Sequence, residues 1–153
     1  MSYTSFRGLN CSIARSLEVV GEWWTLLIIR DALRGTTQFD DFQASLNIAR
    51  NVLSARLRRL VEHGVLERRR YQTRPTRYEY LLTVKGRALF PVVAALMHWG
   101  DTWESDRPPV QLVHDDCGHP AHAVEVCSHC GGALTDQNTR AVPALESAVP
   151  TPA

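Results

Sequence analysis

Two short motifs in the last third of the chain place histidine and cysteine at spacings typical of metal ligands. They are His114-Asp-Asp-Cys117-Gly118 and Cys127-Ser-His-Cys130-Gly131, with nine residues between Cys117 and Cys127. Each pair can lie on one tight turn, because the glycine that follows tolerates the dihedral angles that such a turn requires. Four nitrogen and sulfur ligands form a closed, structural Zn²⁺ site. The spacing therefore predicts a zinc-ribbon-like segment over residues 112–134, with the ion held by His114, Cys117, Cys127 and Cys130.

Alternatives to this site remain open at the level of sequence. His119, His122 and His129 compete with His114 for the imidazole position. The three cysteines could also be ordinary thiols in a loose tail, whereas disulfides are disfavoured in a reducing cytoplasm. Folding favours the metal, because about twenty residues with few large apolar side chains fold poorly without one.

The fourth cysteine, Cys11, stands near the predicted start of the first helix. A helix N-terminus favours the thiolate form of a cysteine, which is the reactive form. Cys11 is therefore a candidate sensor of oxidants or electrophiles. The alternative is a small buried residue that packs against a partner.

A basic helix followed by a basic hairpin forms the second candidate site. Residues 50–63 have an apolar seam of leucines at helical spacing, and residues 65–71 and 77–82 are predicted strands. A helix of this kind fits the DNA major groove, and a hairpin tip reaches the backbone or the minor groove. A solvated helix face is the alternative. The predicted DNA contacts are Arg50, Asn51, Ser54, Arg56, Arg58, Arg74 and Arg77.

Further helices must position this basic helix. Periodic apolar residues predict helices over residues 10–20, capped by Asn10, and over residues 23–33, with a break at Gly21. A short helix capped by Asp40 or Asp41 runs to about residue 46, and a tight turn over residues 47–49 follows.

One long helix is predicted over residues 84–103, capped by Thr83 and kinked at Pro91. Its apolar stripe, which includes Trp99 and Trp103, is compatible with either a core or a dimer interface. Trp23 and Trp24 are interpreted as core aromatics, with an effector pocket as the alternative.

The fold class predicted from these elements is mainly α with a small β-hairpin, a winged helix–turn–helix with a small C-terminal zinc-ribbon-like appendage. The main domain is predicted over residues 9–105. Residues 135–153 are rich in Pro, Ala and Thr, and we expect them to be disordered.

The distribution of charged residues also separates the predicted main domain from the rest of the chain. Of 153 residues, the first 105 carry 15 of the 17 basic and 10 of the 16 acidic side chains, and the remainder is net acidic. Basic charge confined to the predicted DNA-binding domain suits a polyanionic partner.

Several stretches resemble the HxlR-type transcriptional regulators. They are Cys11-Ser-Ile-Ala-Arg-Ser-Leu, Trp24-Thr-Leu-Leu-Ile-Ile-Arg, Phe39-Asp-Asp-Phe, Leu53-Ser-Ala-Arg-Leu-Arg-Arg-Leu, His63-Gly-Val-Leu-Glu-Arg and Arg77-Tyr-Glu-Tyr-Leu-Leu-Thr-Val-Lys-Gly-Arg. The resemblance implies a homodimeric bacterial repressor or activator that dimerises through its first and last helices. It also matches Cys11 to a cysteine that senses oxidants or electrophiles in some members, but it does not extend to the zinc motifs.

The sequence does not favour an enzyme. It contains neither a glycine-rich phosphate loop nor a G-x-S-x-G nucleophile turn, and four ligands would leave zinc no open position. The expected protein is a cytoplasmic, sequence-specific regulator of double-stranded DNA, with repression expected and an oxidant or small molecule as effector. The alternative is a winged-helix module that binds another protein.

Overall fold

The protein divides into two compact units, Met1–Arg107 and Pro108–Ala153. The structure is a computed structural model, and it describes Phe6 and residues 8–143. The first unit contains α1 (Ser12–Val20), α2 (Trp23–Leu33), α3 (Phe39–Leu46), α4 (Arg50–Glu62), β1 (Leu66–Gln72), β2 (Arg77–Leu82), α5 (Val84–Arg87) and α6 (Phe90–Trp103). The second contains β3 (Leu112–His114) and β4 (His119–Ala121).

The core of the first unit lies where α2, α3 and α4 meet the hairpin of β1 and β2. The seam predicted on the basic helix is buried, as are two neighbouring isoleucines of α2 that face it. Asp31 is only 3% exposed, and its carboxylate joins two helices because it pairs with Arg30 at 2.7 Å and accepts a hydrogen bond from Ser45 of α3. The largest fully buried side chains are Phe42, Ile28, Ile29, Leu53, Leu57, Leu60, Leu66 and Val65.

A tight turn sets the angle between α3 and α4. Asn47 ends α3 in the left-handed conformation with φ 47°, which asparagine adopts more readily than most residues. Ile48 is buried beneath the turn and anchors it to the core. The turn therefore holds α4 with one face on the core and the opposite face in solvent.

The hairpin is fastened to the loop that precedes α3. β1 and β2 pair antiparallel, with Arg68 opposite Tyr80 and Arg70 opposite Tyr78. The Tyr80 amide donates to the Thr37 carbonyl at 2.7 Å, and Gln38 forms an isolated bridge with Glu79. These bonds fix the hairpin beside the α3–α4 pair, as a wing lies beside a helix–turn–helix. The arrangement confirms the predicted winged helix–turn–helix fold.

The predicted helix over residues 84–103 is wrong as a single element. α5 ends at Arg87 and α6 begins at Phe90, so Pro91 lies in the first turn of α6 instead of kinking a long helix. Proline suits this position, because first-turn amides have no partner within the helix. Thr83 does cap α5 as predicted, since its side chain accepts a hydrogen bond from the Gly86 amide at 3.1 Å.

Two other predicted caps are also wrong. Cys11, and not Asn10, is the N-cap of α1, and the Asn10 side chain accepts a hydrogen bond from Arg15 instead. Gln38 is the N-cap of α3, which places Asp40 and Asp41 within its first turn. Carboxylates there still favour the helix by interacting with its dipole.

The two tryptophans at the start of α2 differ in environment. Trp24 packs partly buried against the core, as predicted, but Trp23 is 90% exposed and is not a core residue. Two tryptophans adjacent in a helix point about 100° apart, so only one can face the core.

The second unit is built from turns and short strands. β3 and β4 form a two-stranded hairpin, and Val126 bridges Ala133 in a second hairpin-like turn. No residue among 108–143 is buried. Residues 135–138 form a hydrogen-bonded turn within the segment that was expected to be disordered, while residues 144–153 of that segment lie outside the described residues.

The helices described in the structure are all too short or too polar to cross a membrane. Residues 1–5 and 7 at the N-terminus lie outside the described part of the chain.

Candidate nucleic-acid interface

The outer face of α4 is polar and open to solvent. Asn51, Ser54 and Arg58 are exposed, as is the small Ala55 between them. These positions lie opposite the buried leucines, so helical periodicity separates the two faces. Asn, Ser and Arg can all form hydrogen bonds with base edges or phosphates.

The N-terminus of α4 adds backbone donors to this face. Its N-cap residue, Ala49, has no side chain that could accept from the first amides, and its first turn holds no acidic residue. First-turn amides of a helix are donors suited to a phosphate.

Arg50 lies at the same end of α4 within a small cluster of α3 residues. Its guanidinium is 3.1 Å from the Asp40 carboxylate and 2.9 Å from the Gln43 side-chain oxygen, and it stacks 4.8 Å from the centroid of the Phe39 ring. The Arg50–Asp40 pair is largely exposed and therefore contributes little to stability. A phosphate could replace Asp40 as its partner at small cost.

Arg56 has different surroundings from the other predicted DNA contacts. Its guanidinium pairs with Glu22 at 2.9 Å, and only 23% of its side chain is exposed. The neighbouring Arg59 is also half-buried and donates to the Glu18 carbonyl. Both arginines therefore attach α4 to the segment around the end of α1, and the geometry favours a packing role for Arg56.

The wing carries more exposed arginines than the two predicted from its sequence. Arg74 and Arg77 are exposed at and beside the tip, as expected. Arg68 and Arg70 of β1 are exposed as well, and Arg68 stacks 4.3 Å from the centroid of the Tyr78 ring. Alternation along the strand could have identified them, because β1 contains three arginines in succession and puts the first and third on one face.

Cys11 is exposed at the N-terminal end of α1. The same helix exposes Ile13 and Leu17, and α6 exposes a stripe at spacings of four, three and four residues. The members of the α6 stripe are Val92, Leu96, Trp99 and Trp103. Apolar side chains repeated along one helix face are typical of a surface that another protein covers.

The two histidine and cysteine motifs each form a compact turn. In the first, the Nδ1 atom of His114 lies 3.4 Å from the Cys117 sulfur. In the second, backbone amides of Cys130 and His129 donate to the Cys127 sulfur, and together with the Cys130 side chain they hold the pKa of that thiol below its ordinary value against a small effect of burial. Within the described residues, no three His, Cys, Asp or Glu side chains are grouped closely enough to hold one metal ion.

Comparison with known proteins agrees with the winged-helix architecture. The family model for the HxlR-like helix-turn-helix matches residues 19–108. An HTH-type transcriptional regulator of Mycobacterium tuberculosis, Rv3095, is 44% identical over 134 residues, which cover 86% of this chain and 85% of the relative.

Solved structures give the same result. The crystal structure of PA1607, a candidate transcription factor, is 42% identical with a TM-score of 0.84, and the match covers 92% of this chain and all of that one. The redox regulator HypR in its reduced form is 29% identical with a TM-score of 0.57, over 60% of this chain and 92% of its own. Family and relatives are DNA-binding regulators and not enzymes.

The polar face of α4, the arginine-bearing wing beside it and these matches lead to one identification: the chain is a transcriptional regulator that belongs to the HxlR-like helix-turn-helix family.

Proposed function

We propose that the protein is a sequence-specific DNA-binding repressor that acts as a homodimer. The observation that carries the proposal is the division of α4 into a buried leucine face and an exposed face with Asn51, Ser54 and Arg58. In this proposal the exposed face reads base edges, while Arg50 and the wing residues Arg74 and Arg77 contact phosphates. Arg56 is not among the residues proposed to contact base edges, because it pairs with Glu22.

A second copy of this chain is the proposed occupant of the exposed apolar faces of α1 and α6. Trp103 is 72% exposed and Ile13 is equally so, although both are large apolar side chains. A two-fold dimer would present two α4 helices to successive major grooves of a pseudo-palindromic site. A dimer bound to promoter DNA excludes polymerase from the same site, which is the basis for proposing repression. Relatives such as Rv3095 come from bacteria, whose DNA lies in the cytoplasm, so we propose that the protein acts there.

Cys11 is the proposed point of control. It is exposed at the start of α1, one of the helices of the proposed dimer surface, and the similar protein HypR is a redox regulator. An electrophile would form a carbon–sulfur bond with the Cys11 thiolate and thereby change the packing of α1. Because α1 would pack against the partner, the modification would alter the separation of the two α4 helices.

A single variant distinguishes the effect of modifying Cys11 on DNA binding from the effect of modifying the other thiols. Treatment with an alkylating electrophile should weaken DNA binding of the wild-type protein, and Cys11→Ser should bind normally and resist the treatment. Unchanged affinity of the wild-type protein after complete labelling of Cys11, verified by mass spectrometry, would refute control through this residue.

The DNA-binding proposal is tested with the DNA upstream of the protein's own gene. The purified dimer should bind that fragment and withstand an excess of competitor of the same base composition but scrambled order. Equal competition by both fragments would show that binding lacks sequence specificity. A reporter driven by the bound fragment should rise in activity when the gene is deleted, and a fall would show activation instead.

A module that binds another protein is the second candidate, since the exposed apolar faces would also suit such a partner. Binding to DNA distinguishes the two, because phosphate contacts release counterions and make affinity steeply dependent on salt.

A further inference from the structure

We infer that the second unit binds one structural Zn²⁺ ion per chain through His114, Cys117, Cys127 and Cys130. The family model ends at residue 108, so family membership does not supply this site. The inference is carried by the local geometry of two turns in residues 112–134 and by the absence of a core among residues 108–143.

The two turns share one backbone design. In the first, the Gly118 amide donates to the His114 carbonyl at 2.7 Å, and in the second the Gly131 amide donates to the Cys127 carbonyl at 2.8 Å. Both glycines have positive φ, 69° and 72°. Each turn therefore has a ligand-type residue at its first and fourth positions and a left-handed glycine at its fifth.

This correspondence selects His114 as the fourth ligand. His114 occupies in the first turn the place that Cys127 occupies in the second. His119 lies beyond the turn, and its Nδ1 atom is 2.7 Å from the Cys117 carbonyl oxygen. The symmetry between the turns thus favours His114.

The distance between the paired atoms suits a shared ion. With Zn–S of about 2.3 Å and Zn–N of about 2.0–2.1 Å, a tetrahedral angle separates the two ligand atoms by about 3.5 Å. The observed separation between the Cys117 sulfur and the His114 Nδ1 atom is 3.4 Å. This pair needs little rearrangement to bind the ion.

Asp116 has the position of an outer carboxylate. Its Oδ2 atom lies 3.6 Å from the Nε2 atom of His114, on the side of the ring away from the sulfur. A carboxylate there fixes the imidazole tautomer that leaves Nδ1 available to the metal, an arrangement common at zinc sites. Asp116 is therefore a positioning residue for His114.

The second turn is held by its own backbone hydrogen bonds. The turn is closed by the Cys127 amide, which donates to the Gly132 carbonyl at 2.8 Å. Each turn is thus a half-site with two ligands. Because no three such side chains of the described residues are grouped closely enough to hold one ion, zinc would have to draw the two half-sites together.

A zinc ion that joins the two turns would fix their separation in the second unit. None of residues 108–143 is buried, so apolar packing does not fix the separation of the two turns. A closed four-ligand zinc ion stabilises small units of this kind, because its binding energy becomes folding energy. With all four positions filled by protein, the ion has no place for a substrate.

The test is the zinc content of the full-length protein. The protein is purified without chelators, and its zinc is measured by inductively coupled plasma mass spectrometry. We expect about one zinc per chain, and close to none in Cys127→Ser or Cys117→Ser. Cys11→Ser is the matched control, since it removes a thiol of the first unit, and it should keep the full content. The helical circular dichroism of the first unit verifies that each variant is folded.

Two further measurements separate the proposal from its alternatives. Co²⁺ in place of zinc should give the visible bands of a tetrahedral thiolate site, and His114→Ala should lose them while His119→Ala retains them. Loss with His119→Ala alone would overturn the assignment of His114. A zinc-free wild-type protein whose Cys117 and Cys127 react freely with thiol reagents, or form a disulfide, would overturn the site altogether.

Discussion

Arg58 differs from Arg56, two residues away, in what its guanidinium can reach. Arg58 is exposed on the polar face of α4, whereas Arg56 is mostly buried against Glu22. The number of arginines in the helix therefore overstates the number available to DNA. Helical spacing identified the outward positions, but it did not reveal the partner of Arg56, because the ion pair with Glu22 joins segments far apart in the chain.

Replacement of Arg58 tests whether the exposed polar face of α4 contacts DNA. Arg58→Ala should weaken binding to the specific site by about 1–3 kcal/mol if the guanidinium contacts a base in bidentate fashion. Arg140→Ala, which removes the same charge from an exposed position in the second unit, is the control and should have little effect in anisotropy titrations. A loss for Arg58→Ala no larger than the control's would place this residue outside the interface.

Replacement of Arg56 should act on stability instead. Arg56→Ala removes a partly buried ion pair and should lower the free energy of unfolding by about 1 kcal/mol. Urea denaturation measures this change, and Arg58→Ala should differ from wild type by less than about 0.5 kcal/mol in the same assay. If Arg56→Ala left stability unchanged but abolished DNA binding, Arg56 would belong to the interface after all.

Elements are positioned by a few close contacts between segments, among them the contact of α5 with Val65, the residue just before β1. Gly86 is buried, and a Cβ atom built there would lie 2.2 Å from the Val65 carbonyl oxygen and 2.8 Å from a Leu82 methyl carbon. Thr83 also donates to the Gly64 carbonyl at 2.6 Å. This junction fixes the base of the wing relative to α4.

Gly86→Ala should therefore destabilise the first unit by about 1–3 kcal/mol, the usual cost of overpacking, since the Val65 oxygen belongs to the backbone and cannot move aside easily. Gly100→Ala is the control. It lies within α6 with no atom within 4 Å of a new Cβ, and alanine there should raise helix stability by about 0.5–1 kcal/mol. Thermal unfolding compares the two, and equal melting temperatures would contradict the close contact.

The elements of the first unit were largely predictable from sequence, and the exceptions have local causes. Helices α1 to α4 and the two wing strands have regular apolar spacing and definite ends, such as Gly64, which has φ 66° just after α4. The prediction of one long last helix was wrong because the apolar stripe continues across residues 88–89, which separate α5 from α6 just before Pro91. The exposure of Trp23 was not predictable from its type, since only the orientation of α2 decides which tryptophan is buried.

At the scale of the whole molecule, two large apolar faces remain exposed in one chain. The stripe of α6 includes Trp99, and α1 contributes Leu17 and Ile13. The sequence indicated this stripe but left open whether it was core or interface. The structure shows it at the surface, which favours dimerisation as the proposed explanation.

Sedimentation at micromolar concentration should therefore show a dimer. Trp99→Glu should yield a monomer, because it would place a charge in the centre of the buried interface. Trp23→Glu is the matched control: Trp23 is another exposed tryptophan, on α2, and its replacement should leave the dimer intact. A monomeric wild-type protein would exclude dimerisation through these faces.

DNA recognition by α4 and the wing is tested most sharply by the affinity of the reduced dimer for its own upstream DNA across a series of salt concentrations. With six to ten phosphate contacts from the paired α4 helices and wings, affinity should fall by about 10³–10⁵ between 50 and 200 mM salt. Arg74→Ala in the wing should make that dependence shallower by about two contacts per dimer. Affinity that is weak at low salt and insensitive to its increase would contradict DNA recognition by α4 and the wing.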